Sequence, residues 1–375
     1  MDLSQIRKEI DEIDESLVKL FEKRMQTVRK VAEYKAEKGM AVMNSKRERE
    51  IINSLTGKVS PELVTYTKIL YNTLFDVSRS YQCKEIYKTS PLAEKIKTAL
   101  KSTPSQFPAS AIVACQGTEG AYSQQACEKL FYNPTIIYFD TFRGVFDAVK
   151  NGMCQYGVLP IENSVHGSVT QVVDLMSRYD FSIVKSAKIQ INHVLLAKEG
   201  AKEIKEVYSH EQALGQCDDY LKSAGVKTKV CENTAVAARI VADSERNDIA
   251  AISSPLCSEL YGLKILKEDI ANSDNNYTRF ICISKDMEIY PGADKISLIT
   301  TVSHKPGALY ELISKFAAVG INISKIESRP IPGKDFEFSF YLEMYVSVYS
   351  EELVSLVSEL SASGNFTFLG SYTEI

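Results

Sequence analysis

Two cationic side chains, Arg24 and Lys35, stand where the N-terminal segment should carry apolar residues. Apolar residues recur there at steps of three or four, the pattern of one helical face. Eleven residues turn a helix through about 1100°, so the two cations share that face about 16 Å apart. Cations on a core face are costly unless an anion meets them, although long side chains can also extend past it to water. Their position therefore indicates either a pocket for an anionic ligand or two solvated side chains.

Other polar residues of the same segment favour the pocket. Four of them lie on the two predicted helices that follow: Arg47, Glu48, Ser78 and Gln82. Arg7 is different, because a separation of 17 residues puts it about 100° off the face of Arg24 and about 25 Å away. Arg7 reaches such a pocket more easily from a partner subunit than from its own helix.

Polar-rich segments also interrupt the middle of the chain, each beside a predicted strand. Open α/β sheets bind ligands where their strands end. Each segment has a simpler interpretation: a capped turn, buried turn chemistry or, for His210, a structural hydrogen bond. Four such segments at four strand ends favour a ligand cleft. They are residues 117–126, 157–169, 209–217 and 272–280.

The elements that must position these residues begin with two successive patterns. Residues 1–90 read as helices, the first of them ended by Gly39. Residues 91–109 read as a linker because Ser and Pro recur in them. Residues 110–288 alternate short strands with helices, which predicts an α/β domain with mostly parallel pairing. The predicted strands are 111–116, 135–139, 156–160, 206–210, 228–232, 248–253 and 279–284, and the predicted helices are 121–131, 142–151, 211–223 and 234–243.

A third pattern covers residues 295–375. Its order of strand, helix, two strands, helix and strand is typical of the ferredoxin-like βαββαβ module. Phe336 begins the long alternating strand of this module. The sequence therefore predicts a multidomain chain with an all-α part, an α/β part and an α+β part.

Composition excludes several classes of function. Lys and Arg total 44 against 48 Asp and Glu, a formal charge of −4, so no nucleic-acid partner is expected. The lack of an apolar run of about 18 residues and of a signal peptide predicts a cytoplasmic protein with no membrane contact. The eight cysteines form no Cys-x-x-Cys pair and the four histidines lack metal-ligand spacing, so free thiols and no metal are expected. No dinucleotide or P-loop fingerprint occurs.

Over residues 1–90, the cationic and polar positions resemble the pattern of the all-helical chorismate mutases. The resemblance implies an intertwined dimer that rearranges chorismate to prephenate. Arg24 and the partner chain's Arg7 would hold the two substrate carboxylates. Lys35 and Gln82 would meet the ether oxygen, where negative charge grows as the bond breaks. The remaining implied contacts are Asn44, which stands where the family often has Asp, and Arg47, Glu48 and Ser78.

The runs at 160–164 and 277–280 resemble the prephenate dehydratases, and this resemblance covers residues 111–285. It implies two α/β lobes, like those of a type-2 periplasmic binding protein, that close on prephenate and yield phenylpyruvate. Thr278 would donate to the departing hydroxyl. Arg279 would hold a carboxylate or form an ion pair between the lobes. The other implied substrate contacts are Glu162, Asn163 and Ser164, which are candidates to polarise the threonine, with Ser123, Ser209 and Gln216.

The motifs at 306–309 and 327–330 resemble those of the ACT regulatory domain, over residues 295–375. The resemblance implies feedback inhibition by L-phenylalanine bound between paired modules. A structural dimerisation unit without a ligand is the alternative, because many functions share this fold. The implied effector contacts are Gly307, Ala308, Leu309, Glu327 and Ser328.

The three resemblances together imply a bifunctional enzyme of phenylalanine biosynthesis. Its substrates would be chorismate and prephenate, it would need no metal or organic cofactor, and it would form a homodimer or higher homo-oligomer. The alternative is a non-enzymatic amino-acid sensor that binds a ligand and regulates a partner. A sensor tolerates loss of reactive side chains, whereas Arg24, Lys35 and Thr278 are all present, which favours the enzyme.

Overall fold

The computed structural model of the chain describes residues 2–87, 90–302, 304, 306–331, 337–362 and 366–375. The chain divides into two compact units, Met1–Lys101 with Asp294–Phe368 and Ser102–Ala293 with Leu369–Ile375. The domains predicted at the two ends of the chain therefore belong to one unit, and the domain predicted between them makes up most of the other. No helix within the described ranges is long and apolar enough to cross a membrane. Those residues also hold no group of three or more His, Cys, Asp or Glu side chains placed to bind a metal ion.

Three α-helices form most of the N-terminal part of the first unit, as predicted. Gly39, at φ 63°, adopts the left-handed conformation that follows the end of the first helix. Asn44 accepts a hydrogen bond from the backbone N–H of Arg47 (3.1 Å) and caps the second helix. The helices are α1 (Leu3–Glu37), α2 (Ser45–Thr56) and α3 (Val64–Tyr87), with a 3₁₀ helix at Pro61–Leu63 before α3.

The segment predicted as a linker, 91–109, is helical over more than half of its length, which corrects that prediction. Helix α4 (Pro91–Ser102) begins at a Ser-Pro pair. Ser90 Oγ accepts the backbone N–H of Ala93 (3.1 Å), and Pro91 takes the first helical position. The pair therefore marks the start of a helix. One face of α4 is buried at steps of three residues, through Ala93, Ile96 and Ala99.

The second unit contains every strand and helix predicted for its part of the chain. The helix predicted at 211–223 is divided into two at Cys217. The strands are β1 (Ile112–Gln116), β2 (Thr135–Phe139), β3 (Tyr156–Asn163), β4 (Gly167–Ser168), β5 (Ser182–Gln190), β6 (Val194–Ala197), β7 (Glu206–His210), β8 (Lys227–Cys231), β9 (Ile249–Ser253), β10 (Lys264–Lys267) and β11 (Tyr277–Ser284). The helices are α5 (Tyr122–Leu130), α6 (Phe142–Lys150), α7 (Thr170–Met176), α8 (Glu211–Gln216), α9 (Asp218–Ala224), α10 (Thr234–Asp243) and α11 (Leu256–Tyr261).

These strands form two sheets, each at the centre of one lobe of the unit. The first sheet has the order β5-β11-β3-β1-β2, with β4 paired to β3, and the second has the order β10-β6-β9-β7-β8. β1 runs parallel to β2 and β3, and β7 runs parallel to β8 and β9. β11 is antiparallel to β3 and β5, and β6 is antiparallel to β9 and β10. The pairing is therefore mixed, which corrects the expectation of mostly parallel pairing, because the strands that flank the two crossings between lobes run against their neighbours.

Each lobe has its own core. In the first lobe, Val113, Val158 and Cys282 of three neighbouring strands are fully buried. In the second lobe, the adjacent residues Leu195 and Leu196 belong to two different clusters, because successive side chains of a strand point to opposite faces of the sheet. Two segments connect the lobes, 191–193 between β5 and β6 and 268–276 between β10 and β11.

The last part of the chain has the predicted βαββαβ order. β14 is antiparallel to both β12 and β13, and Phe336, predicted to begin the third strand, lies outside the described residues. Lys84 of α3 pairs with Glu352 of the second helix of this module (3.0 Å) inside the first unit. Thr373 and Glu374, which belong to the second unit, pair in parallel with β5. The elements are β12 (Lys295–Thr301), α12 (Ala308–Ala318), β13 (Ile323–Pro330), β14 (Phe338–Tyr345), α13 (Glu351–Ala362) and β15 (Phe366–Glu374).

Candidate active sites

The cation predicted on the face of α1 at Arg24 meets polar groups of α3. Arg24 donates to the hydroxyl of Ser78 and, at 3.5 Å, to the carbonyl of Leu74. One turn further along α3, Gln82 is buried, and its Nε2 donates to the Ser78 carbonyl (3.2 Å). The Oε1 of Gln82 has no hydrogen-bond partner in the described part of the chain. A buried amide with unused hydrogen-bonding capacity beside a guanidinium is suited to bind a polar ligand.

Lys35 is the second cation of this face, and it is also partly buried. Its Nζ donates to the carbonyl of Val42 (2.5 Å). Burial lowers the pKa of the Lys35 ammonium, and the negative charge of Glu48 acts in the opposite direction. The structure therefore places Arg24 and Lys35 of α1 near α3, which carries Ser78 and Gln82, as the sequence predicted. We call these four residues the helical site.

Arg79 is a charged residue near this site that the sequence analysis missed. It forms ion pairs with Glu48 of α2 (2.5 Å) and with Asp76 one turn earlier in α3. All three side chains are less than a quarter exposed. The spacing of three residues between Asp76 and Arg79 is a signal for the second ion pair, but the link to α2 depends on helix packing.

Three residues predicted to bind substrate are engaged elsewhere or exposed in the single chain. The Arg47 side chain is 67% exposed and pairs with Glu50 (3.5 Å), whereas Glu48 pairs with Arg79. The substrate contacts expected of Arg47 and Glu48 stay predictions. Asn44 uses its amide oxygen to cap α2, and the substrate contact expected of it stays a prediction. Arg7 is exposed, and the expectation that it acts from a partner chain stays a prediction.

In the second unit, Thr278 lies at the start of β11, opposite Asn163 at the end of β3. The Nδ2 of Asn163 donates to Thr278 Oγ1 (3.0 Å). The Oδ1 of Asn163 accepts the backbone N–H groups of Val165 and His166, each at 3.0 Å. Two backbone donors thus fix which end of the Asn163 amide accepts and which donates. Because Thr278 accepts from Asn163, its own hydroxyl hydrogen is available to be donated to a ligand.

Gln216, predicted to bind substrate, joins the same network. Its Oε1 accepts from Asn276 Nδ2 (3.0 Å) and contacts His193 Nε2 at 2.8 Å. Asn276 in turn accepts from Asn163 (2.8 Å). Asn276 and His193 were missed by the sequence analysis. Asn276 belongs to one of the polar-rich segments named above. His193 is a single polar residue between two apolar runs, which is a weak signal.

A cavity of about 310 Å³ opens beside this network. Residues of the first lobe, of the second lobe and of the segment before β11 line it, among them His166, Gln216 and Asn276. The fourth polar-rich segment, 272–280, was expected after a strand but leads into β11 and includes its first residues. It reaches the same edge of the sheet as the end of β3 because the two strands are antiparallel.

Arg279 forms ion pairs, one of the two roles expected of it, but its partners lie in its own lobe. It is 2% exposed and pairs with Glu162 (2.8 Å) and Glu374 (3.6 Å). Glu162 is on β3, Arg279 on β11 and Glu374 on β15, so all three lie in the first sheet. Successive side chains of β11 point to opposite faces, which separates Arg279 from Thr278. The predictions that Arg279 bridges the lobes or holds a substrate carboxylate, and that Glu162 polarises Thr278, are corrected.

Two predicted serine contacts instead make structural hydrogen bonds, and a third is buried. Ser164 Oγ donates to the Asn275 carbonyl and accepts the Tyr277 N–H, both at 2.9 Å, and so holds the segment before β11. Ser209 is fully buried and donates to the Ile252 carbonyl (2.7 Å), which ties β7 to β9. Ser123 is buried in α5.

The glycine-containing segment 117–121 packs against the second lobe. Gly120 has φ 88°, and a Cβ there would lie 2.8 Å from Cys257 Sγ. Its carbonyl accepts from Ser254 Oγ (3.1 Å). The requirement for glycine is therefore explained by a close contact between the lobes, which supports the simpler interpretation of this segment as a tight turn.

In the C-terminal module, Gly307 precedes α12 with φ 84°, a conformation that favours glycine. The end of β12 and the second half of β13 lie at the same level of the sheet, because Phe340 of β14 pairs with both Thr300 and Ser328. Gly307 and Ser328 are exposed, whereas Ala308 is buried.

Comparisons with known proteins match both parts of this description. A family model described as prephenate dehydratase matches residues 113–288, and one described as chorismate mutase type II matches residues 6–83. The bifunctional chorismate mutase/prephenate dehydratase of Aquifex aeolicus is 31% identical over 99% of this chain and 98% of its own length. The prephenate dehydratase of Methanocaldococcus jannaschii is 38% identical over 68% of this chain and 95% of its own. The crystal structure of a prephenate dehydratase from Arthrobacter aurescens in complex with L-Phe superposes with a TM-score of 0.64 at 28% identity, covering 70% of this chain and 89% of that one.

Proposed function

This chain belongs to the family of bifunctional chorismate mutase/prephenate dehydratases, and we propose that its two activities reside at separate sites, the mutase at the helical site and the dehydratase at Thr278. Both activities serve phenylalanine biosynthesis. Lys35 and Thr278 lie in different compact units, which supports the division. The alternative of a non-enzymatic sensor is not favoured, because both matching family models describe enzymes.

The simplest test supplies the purified protein with chorismate alone. Prephenate is expected to rise first and phenylpyruvate to follow, both measured by chromatography over time. Prephenate that accumulates without phenylpyruvate would contradict the dehydratase activity, and unchanged chorismate would contradict the mutase activity.

At the helical site, fixed positive charge and positioning do the chemistry. Arg24 binds one carboxylate of chorismate, and Lys35 and Gln82 face the ether oxygen. As the C–O bond breaks, negative charge on that oxygen is stabilised by donors that need no reorganisation. The reaction is an internal rearrangement, so it needs no nucleophile or general base. The hydrogen bond from Arg24 to Ser78 and the partial burial of Lys35 support this assignment.

At the dehydratase site, Thr278 donates a hydrogen bond to the departing ring hydroxyl of prephenate while carbon dioxide leaves. The observation that carries this assignment is the hydrogen bond from Asn163 to Thr278 Oγ1 (3.0 Å), which leaves the threonine hydrogen for the ligand. A threonine hydroxyl is a weak acid, and accepting a hydrogen bond makes it a better donor. Aromatisation of the ring supplies the driving force. The two lobes close on prephenate in the manner of a type-2 periplasmic binding protein.

The mutase site is completed by a second copy of the chain. The N-terminal half of α1 exposes an apolar stripe in which four side chains are more than half exposed: Ile10, Ile13, Leu17 and Leu20. An exposed stripe of this kind marks an interaction surface. Arg7 belongs to the same half of α1, and in a homodimer it reaches the helical site of the other chain, where it binds the second carboxylate of chorismate.

Mixing two inactive variants should restore mutase activity if Arg7 acts in the partner's site. A hybrid dimer of an Arg7→Ala chain and a Lys35→Ala chain contains one intact site, so a random mixture should recover about a quarter of wild-type turnover. Arg24→Ala mixed with Lys35→Ala is the control, because both residues belong to the same chain's site and no hybrid is intact. Verified heterodimers of Arg7→Ala and Lys35→Ala without activity would show that Arg7 acts within its own chain.

The C-terminal module is an ACT regulatory domain that binds L-phenylalanine between paired copies. Gly307 lets the backbone approach the ligand at the N-terminus of α12, where N–H groups favour its carboxylate. The stretch of β13 that carries Glu327 and Ser328 faces the ammonium group from the neighbouring copy, and Ala308 and Leu309 shape the contact. β13 lies at the end of its sheet order, which leaves an edge for that neighbour. For inhibition, L-phenylalanine must bind the inactive arrangement more tightly than the active one.

Gly307→Val should abolish inhibition by L-phenylalanine and leave dehydratase activity in place. Valine is strained at a positive φ and puts a side chain where the ligand must approach. Gly320→Val is the matched control, since Gly320 lies after the other end of α12 at φ 72° with the same open space around its Cβ. Calorimetry should detect L-phenylalanine binding to the wild type and to the control. If the wild type binds none, the module is a structural dimerisation unit.

A further inference from the structure

Two buried side chains that the proposed reaction does not use lie on the two segments that connect the lobes. His193 follows β5 and Asn276 precedes β11, and they are 3% and 2% exposed. His193 contacts Gln216 of the second lobe, and Asn276 contacts both Gln216 and Asn163 of the first lobe. A chain of hydrogen bonds therefore runs from the second lobe, through both connecting segments, to Asn163 and Thr278.

The direction of each hydrogen bond in this chain is set by the backbone. Asn163 Oδ1 accepts two backbone N–H groups, so its Nδ2 must donate to Asn276 Oδ1 (2.8 Å). The Nδ2 of Asn276 must then donate to Gln216 Oε1 (3.0 Å). Because that oxygen is an acceptor, the His193 Nε2 that lies 2.8 Å from it carries a hydrogen.

His193 thus supplies a single donor from a neutral ring. Burial lowers the pKa of His193, which favours the neutral form, and its Nδ1 has no hydrogen-bond partner among the described residues. Gln216 Oε1 is held by two donors, so the amide cannot turn over without losing both. Asn276 is held in the same way between Gln216 and Asn163.

This arrangement decides where the two Nδ2 hydrogens of Asn163 go. Asn276 Oδ1 takes one of them, and the other is directed at Thr278 Oγ1 (3.0 Å). The Tyr277 carbonyl, 3.2 Å from the same nitrogen, is a competing acceptor. If Asn276 were free to move, the Asn163 amide could tilt toward that carbonyl and Thr278 would lose its donor.

We propose that His193 and Asn276 are positioning residues of the dehydratase, which tie Gln216 to Asn163 and thereby direct the Asn163 hydrogen at Thr278. The inference rests on the dehydratase site proposed above. Since Gln216 and Asn163 belong to different lobes, the chain of hydrogen bonds is complete only when the lobes are placed as in this structure. Thr278 is therefore prepared to donate in that placement and loses its polarising donor when the lobes separate.

Two neutral substitutions at His193 test whether its hydrogen bond to Gln216 is what matters. The amide nitrogen of His193→Gln reaches the place of Nε2, so it keeps the donor to Gln216, whereas the shorter amide of His193→Asn reaches the place of Nδ1 and loses it. We expect His193→Asn to lower dehydratase kcat about tenfold or more with little change in KM, and His193→Gln to stay within about threefold of wild type. Thermal unfolding measured on both variants shows whether each is folded. Equal kcat values for the two folded variants would overturn the proposal.

Asn276→Asp gives a second test that does not depend on His193. The aspartate still accepts from Asn163 but cannot donate to Gln216 Oε1, so kcat should again fall at nearly constant KM. If Asn276→Asp keeps wild-type kcat, the chain of hydrogen bonds does not position Thr278. Thr278→Val, measured in parallel, distinguishes a failure of the positioning role from a failure of the proposed dehydratase site. A loss of activity in Thr278→Val together with normal His193→Asn and Asn276→Asp enzymes rejects the positioning role alone, whereas a fully active Thr278→Val enzyme rejects the proposed site itself.

Discussion

Thr278→Val should turn the protein into an enzyme that stops at prephenate. The valine keeps the branched shape that suits β11 but removes the hydroxyl that donates to the departing oxygen. Loss of a positioned proton donor costs about 10²–10⁴ in rate, so dehydratase kcat should fall by that factor. Chorismate conversion should be unchanged, because the helical site belongs to the other compact unit. Supplied with chorismate, the variant should accumulate prephenate, which chromatography detects directly.

Thr278→Ser is the matched control for this prediction. The serine hydroxyl can still accept from Asn163 and donate to the ligand, so most of the activity should remain. Circular dichroism and thermal unfolding of the three proteins establish that the lobes are folded. A folded Thr278→Val enzyme that forms phenylpyruvate at the wild-type rate would remove Thr278 from the chemistry.

The elements of the fold were predictable wherever apolar side chains repeat with one clear period. The long repeat of α1 and the apolar runs of β1, β3 and β9 are of this kind. β5 was missed, although it pairs with β11 along its whole length, because Lys185 and Lys188 interrupt its apolar pattern. The structure accommodates Lys185 by placing its ammonium over the ring of Phe107, 4.5 Å from the centroid.

The sequence predicted which residues belong to the candidate sites but not which of these residues contact each other. Thr278 and Asn163 were both named from motifs, yet their hydrogen bond depends on the register of β11 against β3, which no local pattern contains. The same register opposes Arg279 to Glu162 and so uses both in an ion pair. Side-chain alternation along a strand could have separated Thr278 from Arg279 in advance. Arg79 could not have been assigned to Glu48, because their contact is made by the packing of two helices.

Lys35→Ala should abolish the mutase and spare the dehydratase. The ammonium of Lys35 is the cation placed to meet the charge that grows on the ether oxygen. Removing one such donor from a preorganised site costs about 10²–10³ in rate, and the remaining partners cannot replace a full charge. Prephenate supplied directly should still be converted at the wild-type rate. Lys38→Ala is the control, because Lys38 is a neighbouring lysine whose side chain is 53% exposed.

The protonation of Lys35 should also set the alkaline limit of mutase activity. Burial lowers the pKa of its ammonium below the ordinary value for lysine, so the charged form is lost at lower pH than for an exposed lysine. Mutase kcat/KM, which reports the free enzyme, should therefore decline as pH rises through that lowered pKa, while dehydratase kcat/KM measured in the same samples should not follow the decline. Lys35→Arg keeps its charge throughout this range. Its turnover is expected to be lower, because a guanidinium does not fit the space of an ammonium, but its alkaline decline should disappear. If the decline persists unchanged in Lys35→Arg, it belongs to another group, and the charge of Lys35 does not limit the reaction.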